Sequence, residues 1–488
     1  MAASLANQDK QSVRLTRPRD TRSGRRLGRS ARRRLVVVAN RLPVRYIEGS
    51  WKTSPGGLVS AIYPFLMDRG GAWVGWNGST YQSTDDERAS QFTHDGIQIC
   101  SLTLSADEMD GFYYGFSNET LWPLYHDAIR TPRFHRKWWH PYRRVNQRFA
   151  QAAVEASSDR DLIWVQDYQL QLAPGFIRES RPNARIGYFN HIPFPPEELF
   201  AKLPWRVQIL EGMLGADVIG FQTKLGVQNF SRAARRFTSA RGSGTELEFR
   251  GRKIKVDAFP ISIDYARYSE AAATEEVQTH AKKLKEDLGG RRIMLGVDRL
   301  DYTKGVDIRL KAFEELLKTG KVSVKDTCLV QVAVPTREAV EDYAELRSTV
   351  EELVGRINGE YGQLGLAAVH YVYRSVPWNE LLGCYVAADA MLVTPFRDGM
   401  NLVAKEYVAC RNENTGSLVL SEFAGAALEL KKAITVNPHD VDGMSDAMHH
   451  ALTLSPAEAK RRMLSMRRTV QNHTVYDWSD SFLRVLSA

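Results

Sequence analysis

Short apolar runs rich in β-branched residues recur along the chain from residue 35 onward. Each run ends at a polar residue, a glycine or a proline, and a stretch with helical periodicity follows it. Because the runs do not alternate apolar and polar residues, they predict strands buried on both faces of a sheet. Strands that alternate with helices predict βαβ units and parallel sheets. The ten predicted strands are LVVVAN (35–40), DLIWVQDY (161–168), RIGYFNHIP (185–193), DVIGFQT (217–223), RIMLGVD (292–298), CLVQVAVP (328–335), AAVHYVYR (367–374), AMLVTP (390–395), SLVLSE (417–422) and AITVNP (433–438).

The number of strand–helix units is too large for a single sheet. We therefore predict an α/β protein with two Rossmann-like domains, whose mainly parallel sheets face each other across a cleft. The break falls near the segment FPISID (259–264), so that the two domains span residues 35–262 and 263–470. The amphipathic segment 471–488 is expected to pack back across the domains. Ligands of such sheets bind beyond the carboxyl ends of the strands, which predicts a site in the cleft.

The net positive charge of the chain is concentrated at its N-terminus. The 488 residues carry a formal net charge of +9, and residues 1–34 hold eleven basic residues against two acidic ones. The remaining chain is neutral, with 55 basic and 55 acidic residues. Residues 1–34 are poor in apolar side chains and cannot form a core, so we expect a disordered basic tail. Nucleic-acid binding by this tail, or export directed by the Arg25-Arg26 pair, is not expected.

Two further patterns favour a soluble, cytoplasmic protein. No run approaches the ~18 consecutive apolar residues of a membrane span. The four cysteines are far apart and lack the CxxC spacing of metal or redox sites, so we expect buried free thiols in a reducing compartment. They are Cys100, Cys328, Cys384 and Cys410.

Two glycine-containing segments could bind phosphate groups. In SPGGL (54–58), paired glycines open a helical stretch whose backbone N–H groups can approach a phosphate, although a plain turn explains the pattern equally well. In GVDRLDYTKG (296–305), Arg299 and Lys304 lie between a strand and a helix. A guanidinium and an ammonium there can stabilise the negative charge of a departing diphosphate. A solvated basic loop is the alternative interpretation.

A third segment, TPFRDGMNLVAKE (394–406), also follows a predicted strand and enters a helix. Backbone N–H groups from Gly399 to Val403 can hold a diphosphate at the helix start. Asp398 can bind sugar hydroxyl groups, or it can simply cap the helix. Glu406 lies about two helical turns after Gly399 and can accept hydrogen bonds from a ribose.

Two polar residues at strand ends, His191 and Asp167, are weaker candidates. A single histidine is more often structural than catalytic, and the aspartate can either bind an acceptor hydroxyl or cap a turn. Metal sites have little support. The DxD matches 159–161 and 440–442 stand apart from other hard oxygen ligands, and no HExxH motif or Cys/His cluster is present. We therefore predict no metal ligands.

Taken together, these segments resemble the trehalose-6-phosphate synthases over nearly all of the chain from Leu35 to about residue 455. Several of the shared stretches are long and specific. They are VVVANRLPV, SPGGLVSAI, WVGWNG, FYYGFSNETLWPLYH, WVQDYQL, NHIPFPPEELFAKLP, ADVIGFQT, GVDRLDYTKGVDIRLKAFEELL, GRINGEYGQLG, TPFRDGMNLVAKEYVA and SEFAGAA.

The resemblance implies roles for individual residues of this sequence. It implies that Arg41 and Arg337 bind the phosphate of the acceptor sugar, and two guanidinium forks suit a dianionic phosphate physically. The implied remainder of the acceptor pocket is Trp76, Tyr114, Trp122 and Asp167. The implied donor-phosphate set is Gly57, Arg299 and Lys304. The implied donor-glucose set is His191, Asp398, Gly399, Met400 and Asn401, and the implied nucleotide set is Leu402, Val403 and Glu406. Of these residues, His191, Arg299, Lys304 and Asp398 are the expected catalytic ones.

The resemblance also implies a GT-B fold and a retaining glycosyltransferase that needs neither a metal nor a cofactor. Its expected substrates are UDP-glucose or another NDP-glucose and glucose 6-phosphate, and its expected product is α,α-trehalose 6-phosphate. We expect a homo-oligomer whose only other partners are these small molecules. The alternatives are a pseudo-glycosyltransferase or related sugar-phosphate transferase of the same fold, and a non-catalytic sugar-phosphate sensor.

The sequence departs from the family pattern at three positions. Gln166 and Gln169 stand on either side of Asp167 and its neighbour Tyr168, where many relatives carry histidine, and Val376 stands where a larger residue often contacts the base. The nucleotide base of the donor is therefore open.

Overall fold

A computed structural model describes residues 33–47, 50–53, 57–81, 90–337 and 340–488. Most of the predicted basic tail, residues 1–32, and the SPG part of the first glycine segment, residues 54–56, lie outside these ranges. The strands are β1 (Leu35–Arg41), β2 (Val44–Ile47), β3 (Ser50–Thr53), β4 (Gly71–Tyr81), β5 (Ser90–His94), β6 (Ile97–Ser105), β7 (Leu162–Gln166), β8 (Arg185–Asn190), β9 (Val218–Phe221), β10 (Arg241–Ser243), β11 (Glu246–Phe249), β12 (Arg252–Ala258), β13 (Arg292–Arg299), β14 (Thr327–Val334), β15 (Val369–Val372), β16 (Ala390–Val393), β17 (Ser417–Ser421) and β18 (Ile434–Val436).

Helices connect most of these strands, as the βαβ pattern predicted. They include a 13-residue π-helical segment, Met109–Leu121, and short 3-10 turns. The α-helices are α1 (Gly57–Arg69), α2 (Ala106–Glu108), α3 (Trp122–Tyr125), α4 (Arg136–Ala156), α5 (Ala173–Ser180), α6 (Glu197–Phe200), α7 (Arg206–Met213), α8 (Lys224–Phe237), α9 (Tyr265–Ala272), α10 (Glu275–Asp287), α11 (Val306–Lys318), α12 (Glu341–Tyr361), α13 (Trp378–Ala387), α14 (Leu402–Cys410), α15 (Val441–Thr453), α16 (Pro456–Asn472) and α17 (Val475–Ser487).

Two large sheets form the frame of the molecule. The first has ten strands in the order β10-β11-β12-β9-β8-β7-β1-β4-β6-β5, and the second has six in the order β15-β14-β13-β16-β17-β18. Seven neighbouring strands of the first sheet, from β12 to β6, pair in parallel, and every pair in the second sheet is parallel. The predicted α/β class with mainly parallel sheets is therefore confirmed. We refer to residues 33–258 as the N-terminal lobe and to residues 265–472 as the C-terminal lobe.

All ten predicted strands are present, and eight of them have buried centres as their apolar composition requires, whereas β15 and β18 at the edges of the second sheet are only partly buried. The described chain contains eight further strands that the apolar runs did not reveal. Most of them lie at or near sheet edges, where one face is exposed and polar residues are tolerated. β11, for example, alternates exposed and buried positions, and β5 is largely exposed. A search for uniform apolar runs, or for the 3.6-residue period of helices, does not detect such strands.

The carboxyl ends of the parallel strands carry the polar residues singled out in the sequence. In the N-terminal lobe, β1 ends at Arg41, and Asp167 and His191 directly follow β7 and β8. In the C-terminal lobe, β13 ends at Arg299, and Arg337 follows β14. Both sheets thus direct their carboxyl ends toward the junction of the lobes, where the cleft lies.

The C-terminal helix α17 packs on the N-terminal lobe. The Trp478 ring lies 5.1 Å from that of Trp164, and the Phe482 ring stacks on Trp164 at 4.5 Å. Gly187 and Gly220 provide the room, because a Cβ at either position would overlap Phe482. The Arg185 side chain also donates a hydrogen bond to the Leu486 carbonyl oxygen (2.9 Å).

Several smaller features bear on the sequence-based expectations. The four cysteines are free and buried. Arg34 donates hydrogen bonds to Gln98 and Asp161, so the end of the basic segment is anchored to the N-terminal lobe. None of the helices within the described ranges is long and apolar enough to cross a membrane.

Replacement of Trp478 by alanine should lower the free energy of unfolding by about 3–5 kcal/mol, because it empties a fully buried aromatic position between α17 and the first sheet. Urea unfolding followed by tryptophan fluorescence measures this loss. The matched control is Arg484→Ala, an exposed position on the same helix, which should change stability little. Equal losses in both variants would contradict the packing described here.

Candidate active site

A buried ion pair lies beyond the carboxyl ends of the strands of the second sheet. Lys304 Nζ donates to Asp398 Oδ2 at 2.5 Å, and the two side chains are only 10% and 15% exposed. Lys304 ends a 3-10 turn, and Gly305 then adopts φ 63°, where a Cβ would also press on the Thr394 carbonyl oxygen. This glycine therefore permits the close approach of the loop after β13 to the end of β16. The ammonium outweighs burial and keeps the pKa of Asp398 below its usual value.

The segment after Asp398 enters α14 through an unusual backbone turn. Asn401 is the N-cap residue, with φ 78° and ψ 92°, and its side chain accepts a hydrogen bond from the Ala404 N–H. The same side chain donates to Asp398 Oδ2 at 3.2 Å. Asn401 therefore joins the start of the helix to the Lys304–Asp398 pair.

The two lobes touch at Gly399. A Cβ built on Gly399 would overlap the carbonyl oxygen of His191, which belongs to the N-terminal lobe. Only a glycine allows the two backbones to approach this closely. A cavity of about 140 Å³ lies beside this contact and is lined by residues of both lobes, including Ile192, Gln222 and Asp398.

The amides of Gln166 and Gln222 and the imidazole of His191 form a short chain of polar contacts. His191 Nε2 lies 2.9 Å from Gln166 Oε1, and Gln222 Nε2 lies 3.4 Å from His191 Nδ1. The Gln222 amide is oriented by the Ile261 N–H, which donates to its Oε1. Its NH₂ group therefore faces Nδ1, so a neutral imidazole with its proton on Nε2 satisfies both contacts. Burial lowers the pKa of His191 to about 3.

Asp167 adopts a strained backbone conformation beside His191, with φ 71° and ψ 172°. Its Oδ1 accepts a hydrogen bond from the His191 N–H at 3.0 Å. Burial raises the pKa of Asp167 to about 6, although hydrogen bonds from backbone N–H groups and the charge of Arg299 oppose the shift. Asp167, Arg337 and Asn401 all have positive φ, and such strain concentrates at functional sites.

Three guanidinium groups of the site lie against tryptophan rings. The Arg41 guanidinium lies 3.9 Å from the Trp76 ring centroid. The Trp122 ring lies 4.0 Å from the Arg337 guanidinium and 5.6 Å from that of Arg299. These cation–π contacts hold three cations in place without neutralising them.

Arg337 is buried and bound by groups from both lobes. Its Nη1 donates to Asp301 at 3.0 Å and also to the Tyr343 hydroxyl, while its Nη2 donates to the Tyr168 hydroxyl at 3.1 Å. The side chain is 4% exposed and that of Asp301 is fully buried. Burial raises the pKa of Asp301, but the charges of Arg337, Arg299 and Lys304 outweigh it and lower the pKa to about 2.

Tyr113 is a member of this group that the sequence reasoning missed in favour of its neighbour Tyr114. Burial raises the pKa of the Tyr113 phenol, but the charges of Arg337, Arg41 and Arg299 lower it below the usual value. Three cations therefore act on one hydroxyl, and the Arg41 guanidinium lies 5.7 Å from the Tyr113 ring centroid. Tyr114 packs edge-on against the Tyr113 ring at 5.4 Å and is only partly buried. The resemblance implied Tyr114 for the acceptor pocket, and this role stays a prediction.

The remaining predicted residues lie at the start of α1 and on or next to α14. Glu406 on α14 accepts hydrogen bonds from the Tyr268 and Tyr385 hydroxyls at 2.9 and 3.1 Å, and burial raises its pKa. Met400 is buried, and Leu402 and Val403 are half-buried at the start of α14. Gly57 is the first residue of α1. Across the described ranges, no three His, Cys, Asp or Glu side chains come together in a way that could hold a metal ion.

Known proteins resemble this chain over almost its whole length. The family model of glycosyltransferase family 20 matches residues 33–488. The chain is 52% identical over 467 residues to a protein of Mycobacterium avium named trehalose-6-phosphate synthase, covering 93% of this chain and 95% of that protein.

Two solved structures are similar in three dimensions. One is a Burkholderia xenovorans UDP-forming α,α-trehalose-phosphate synthase in complex with glucose-6-phosphate, with a TM-score of 0.87 and 34% identity over 93% of this chain and 100% of that one. The other is an E. coli protein bound with UDP-2-fluoro glucose, with a TM-score of 0.87 and 35% identity over 93% and 98% of the two chains. The predicted GT-B fold is confirmed.

Replacement of Gly399 by alanine should lower turnover about 100-fold or more, because the new methyl group would push the His191 backbone out of position, and small misplacements at a reacting site are costly. Steady-state kinetics measures the change. The control is Gly355→Ala, an open position within α12, which should keep normal turnover. A fully active Gly399→Ala protein would contradict the proposed close contact.

His191 should make the stability of the protein depend on pH. Because its pKa of about 3 in the folded state lies below the ordinary value of 6.5, the unfolded chain binds more protons between these values. The free energy of unfolding should therefore rise with pH between about 3 and 6.5. Above this range His191 should contribute no further change. His191→Gln, which cannot titrate, should show a flatter rise in denaturant unfolding at about pH 4.5 and pH 7. An identical pH dependence in both proteins would refute the assignment of a neutral buried imidazole.

Proposed function

We propose, from the premise that this chain belongs to glycosyltransferase family 20, that it transfers glucose from a nucleotide-glucose donor to glucose 6-phosphate and forms α,α-trehalose 6-phosphate. The observation that carries the proposal is the convergence of four cations from both lobes on one cleft: Arg41 from the N-terminal lobe, and Arg299, Lys304 and Arg337 from the C-terminal lobe. A reaction with one diphosphate and one sugar phosphate needs such a distribution of charge.

The acceptor phosphate is assigned to Arg41 and Arg337. Both guanidinium groups lie against aromatic rings and both influence the phenol of Tyr113 between them. Within the described contacts, Arg337 is paired with the Asp301 carboxylate, and Arg41 is paired with none. A dianionic phosphate is therefore attracted by the net positive charge of this end of the cleft. The Burkholderia xenovorans relative was solved with glucose-6-phosphate, which supports this acceptor.

The donor diphosphate is assigned to Arg299 and Lys304. Lys304 is already paired with Asp398, so its ammonium is held in one orientation before the donor binds. We propose that Asp398 and the His191 region bind the glucose ring and that Glu406 binds the ribose. The E. coli relative was solved with UDP-2-fluoro glucose, which supports a nucleotide-glucose donor but leaves the preferred base a prediction.

The chemistry proceeds with retention of configuration in this proposal. The bond from the anomeric carbon to the donor phosphate breaks as the acceptor hydroxyl oxygen bonds to the same face of that carbon. The hydroxyl proton passes to the departing phosphate oxygen. Arg299 and Lys304 stabilise the charge that develops on the diphosphate, and the lobes hold both reactants in register. The neutral His191 and the polar groups around Asp167 orient the sugars without supplying a nucleophile.

The decisive experiment is a panel of UDP-, ADP- and GDP-glucose, each offered with glucose 6-phosphate, followed by NMR of the product. We expect α,α-trehalose 6-phosphate from at least one donor. Arg299→Ala should lower kcat by about 10²–10³-fold, by analogy with removal of one oxyanion donor. Transfer to a different acceptor, or a product with inverted configuration, would refute the proposal. A sugar-phosphate sensor would bind glucose 6-phosphate but form no product with any donor.

The homo-oligomeric state and the cytoplasmic location stay predictions. The same holds for the boundary at residue 262 and for the structure and role of the basic segment 1–34 beyond its anchored end at Arg34.

A further inference from the structure

Asp301 occupies an unusual position for a buried carboxylate, because its contacts come from both lobes. Its Oδ1 accepts hydrogen bonds from the Thr303 N–H at 3.0 Å, from the Thr303 hydroxyl at 2.8 Å and from the Trp122 indole N–H at 3.4 Å. Its Oδ2 accepts from Arg337 and from the Tyr343 hydroxyl, each at 3.0 Å. All five partners are donors, and only an ionised carboxylate can accept from all of them.

The hydrogen bonds of Arg337 differ between its two terminal nitrogens and its Nε. Its two terminal nitrogens are engaged by Asp301, Tyr343 and Tyr168. Its Nε, although buried, has no hydrogen-bond partner within the described ranges of the chain. A buried N–H without a partner is costly, and in the proposed function the acceptor phosphate is assigned to it.

A buried acid–base pair can also be purely structural, and the same lobe contains an example. Asp298 lies three residues before Asp301 and pairs with the fully buried Arg309 at 2.6 Å. Arg309 is satisfied by Gln331 and Thr394 as well, and all of these groups belong to the C-terminal lobe. Asp301 differs because it contacts a tryptophan of the other lobe and a cation that retains a free donor.

We propose that Asp301 is a positioning residue for acceptor recognition: it fixes Arg337 and the Trp122 ring relative to each other across the cleft, and so determines how tightly the acceptor phosphate binds. This inference rests on the proposed function, because it assigns the unpaired donor of Arg337 to the phosphate of the acceptor. Asp301 itself touches neither substrate in this proposal.

The test compares Asp301→Asn with the matched control Asp298→Asn. Asparagine keeps the shape of the side chain but turns one acceptor into a donor, so either Arg337 or the Thr303–Trp122 side loses its partner. We expect the KM for glucose 6-phosphate to rise about 10- to 100-fold, the range expected for one charge-assisted hydrogen bond, while the KM for the donor changes little. Asp298→Asn should lower stability without a selective change in the acceptor KM.

A second variant keeps the inference testable if Asp301→Asn does not fold. Tyr343→Phe removes one hydroxyl that contacts both Asp301 and Arg337 and leaves the charges unchanged. It should raise the acceptor KM in the same direction by a smaller factor. An unchanged acceptor KM in the folded variants, or equal increases for donor and acceptor, would overturn the positioning role and leave Asp301 a structural residue.

Failure of the inference can be distinguished from failure of the proposed function. If the unmodified chain forms no product from glucose 6-phosphate with any donor, the proposed function fails. Binding of inorganic phosphate, measured by calorimetry on the full chain, then decides the role of Asp301 alone. Weaker phosphate binding by Asp301→Asn than by Asp298→Asn supports the inference, and equal binding overturns it.

Discussion

Repulsion among the cations of the cleft is the constraint on which the rest of the site depends. Arg299, Lys304 and Arg337 come from neighbouring strand ends of one sheet, and Arg41 faces them from the other lobe. The chain holds them together with two buried carboxylates, Asp301 and Asp398, and with the faces of Trp76 and Trp122. The carboxylates balance part of the charge, whereas the aromatic rings orient cations and leave their charge available to a ligand.

The same contacts tie the two lobes together. Trp122 of the N-terminal lobe reaches Asp301, and Tyr168 reaches Arg337, while the Gly399 backbone lies against His191. Ionic contacts at the rim, from Arg397 to Asp127 and from Arg133 to Glu341, join the lobes as well. Trp122, Arg337, His191 and Gly399 are thus both predicted site residues and lobe contacts, so the geometry of the site depends directly on how the lobes meet.

Much of the fold could be predicted because its strongest signals are local. The ten predicted strands appear as uniform apolar runs, and the helices between them follow from periodicity. The edge strands were missed because exposure on one face allows a mixed composition, as in β5 and β11. The π-helical segment Met109–Leu121 was missed too, since its aromatic and glycine residues have no distinctive period.

The candidate site was likewise predicted only in part. Arg299, Lys304 and Asp398 stand in glycine-containing segments after strands, where the chemistry of the side chains already indicates a charged ligand. Tyr113 and Tyr114 are adjacent, and the resemblance implied Tyr114, whereas the charges of Arg337, Arg41 and Arg299 act on the phenol of Tyr113. Asp301 lies within the segment GVDRLDYTKG (296–305), but nothing in that segment indicates its role, because its partners Trp122, Arg337 and Tyr343 are distant in the chain.

The sequence by itself determined the α/β class, the positions of ten strands along the chain and the identity of most charged groups, because hydrophobic periodicity and strand-end chemistry are properties of short segments. Only the tertiary structure decided which of those groups meet. The stacking of Arg337 on Trp122, the neutral state of His191 and the bonds from Trp122, Arg337 and Tyr343 to Asp301 all arise from segments separated by many residues. Burial and charge act through distance in space, and a one-dimensional pattern does not contain that distance.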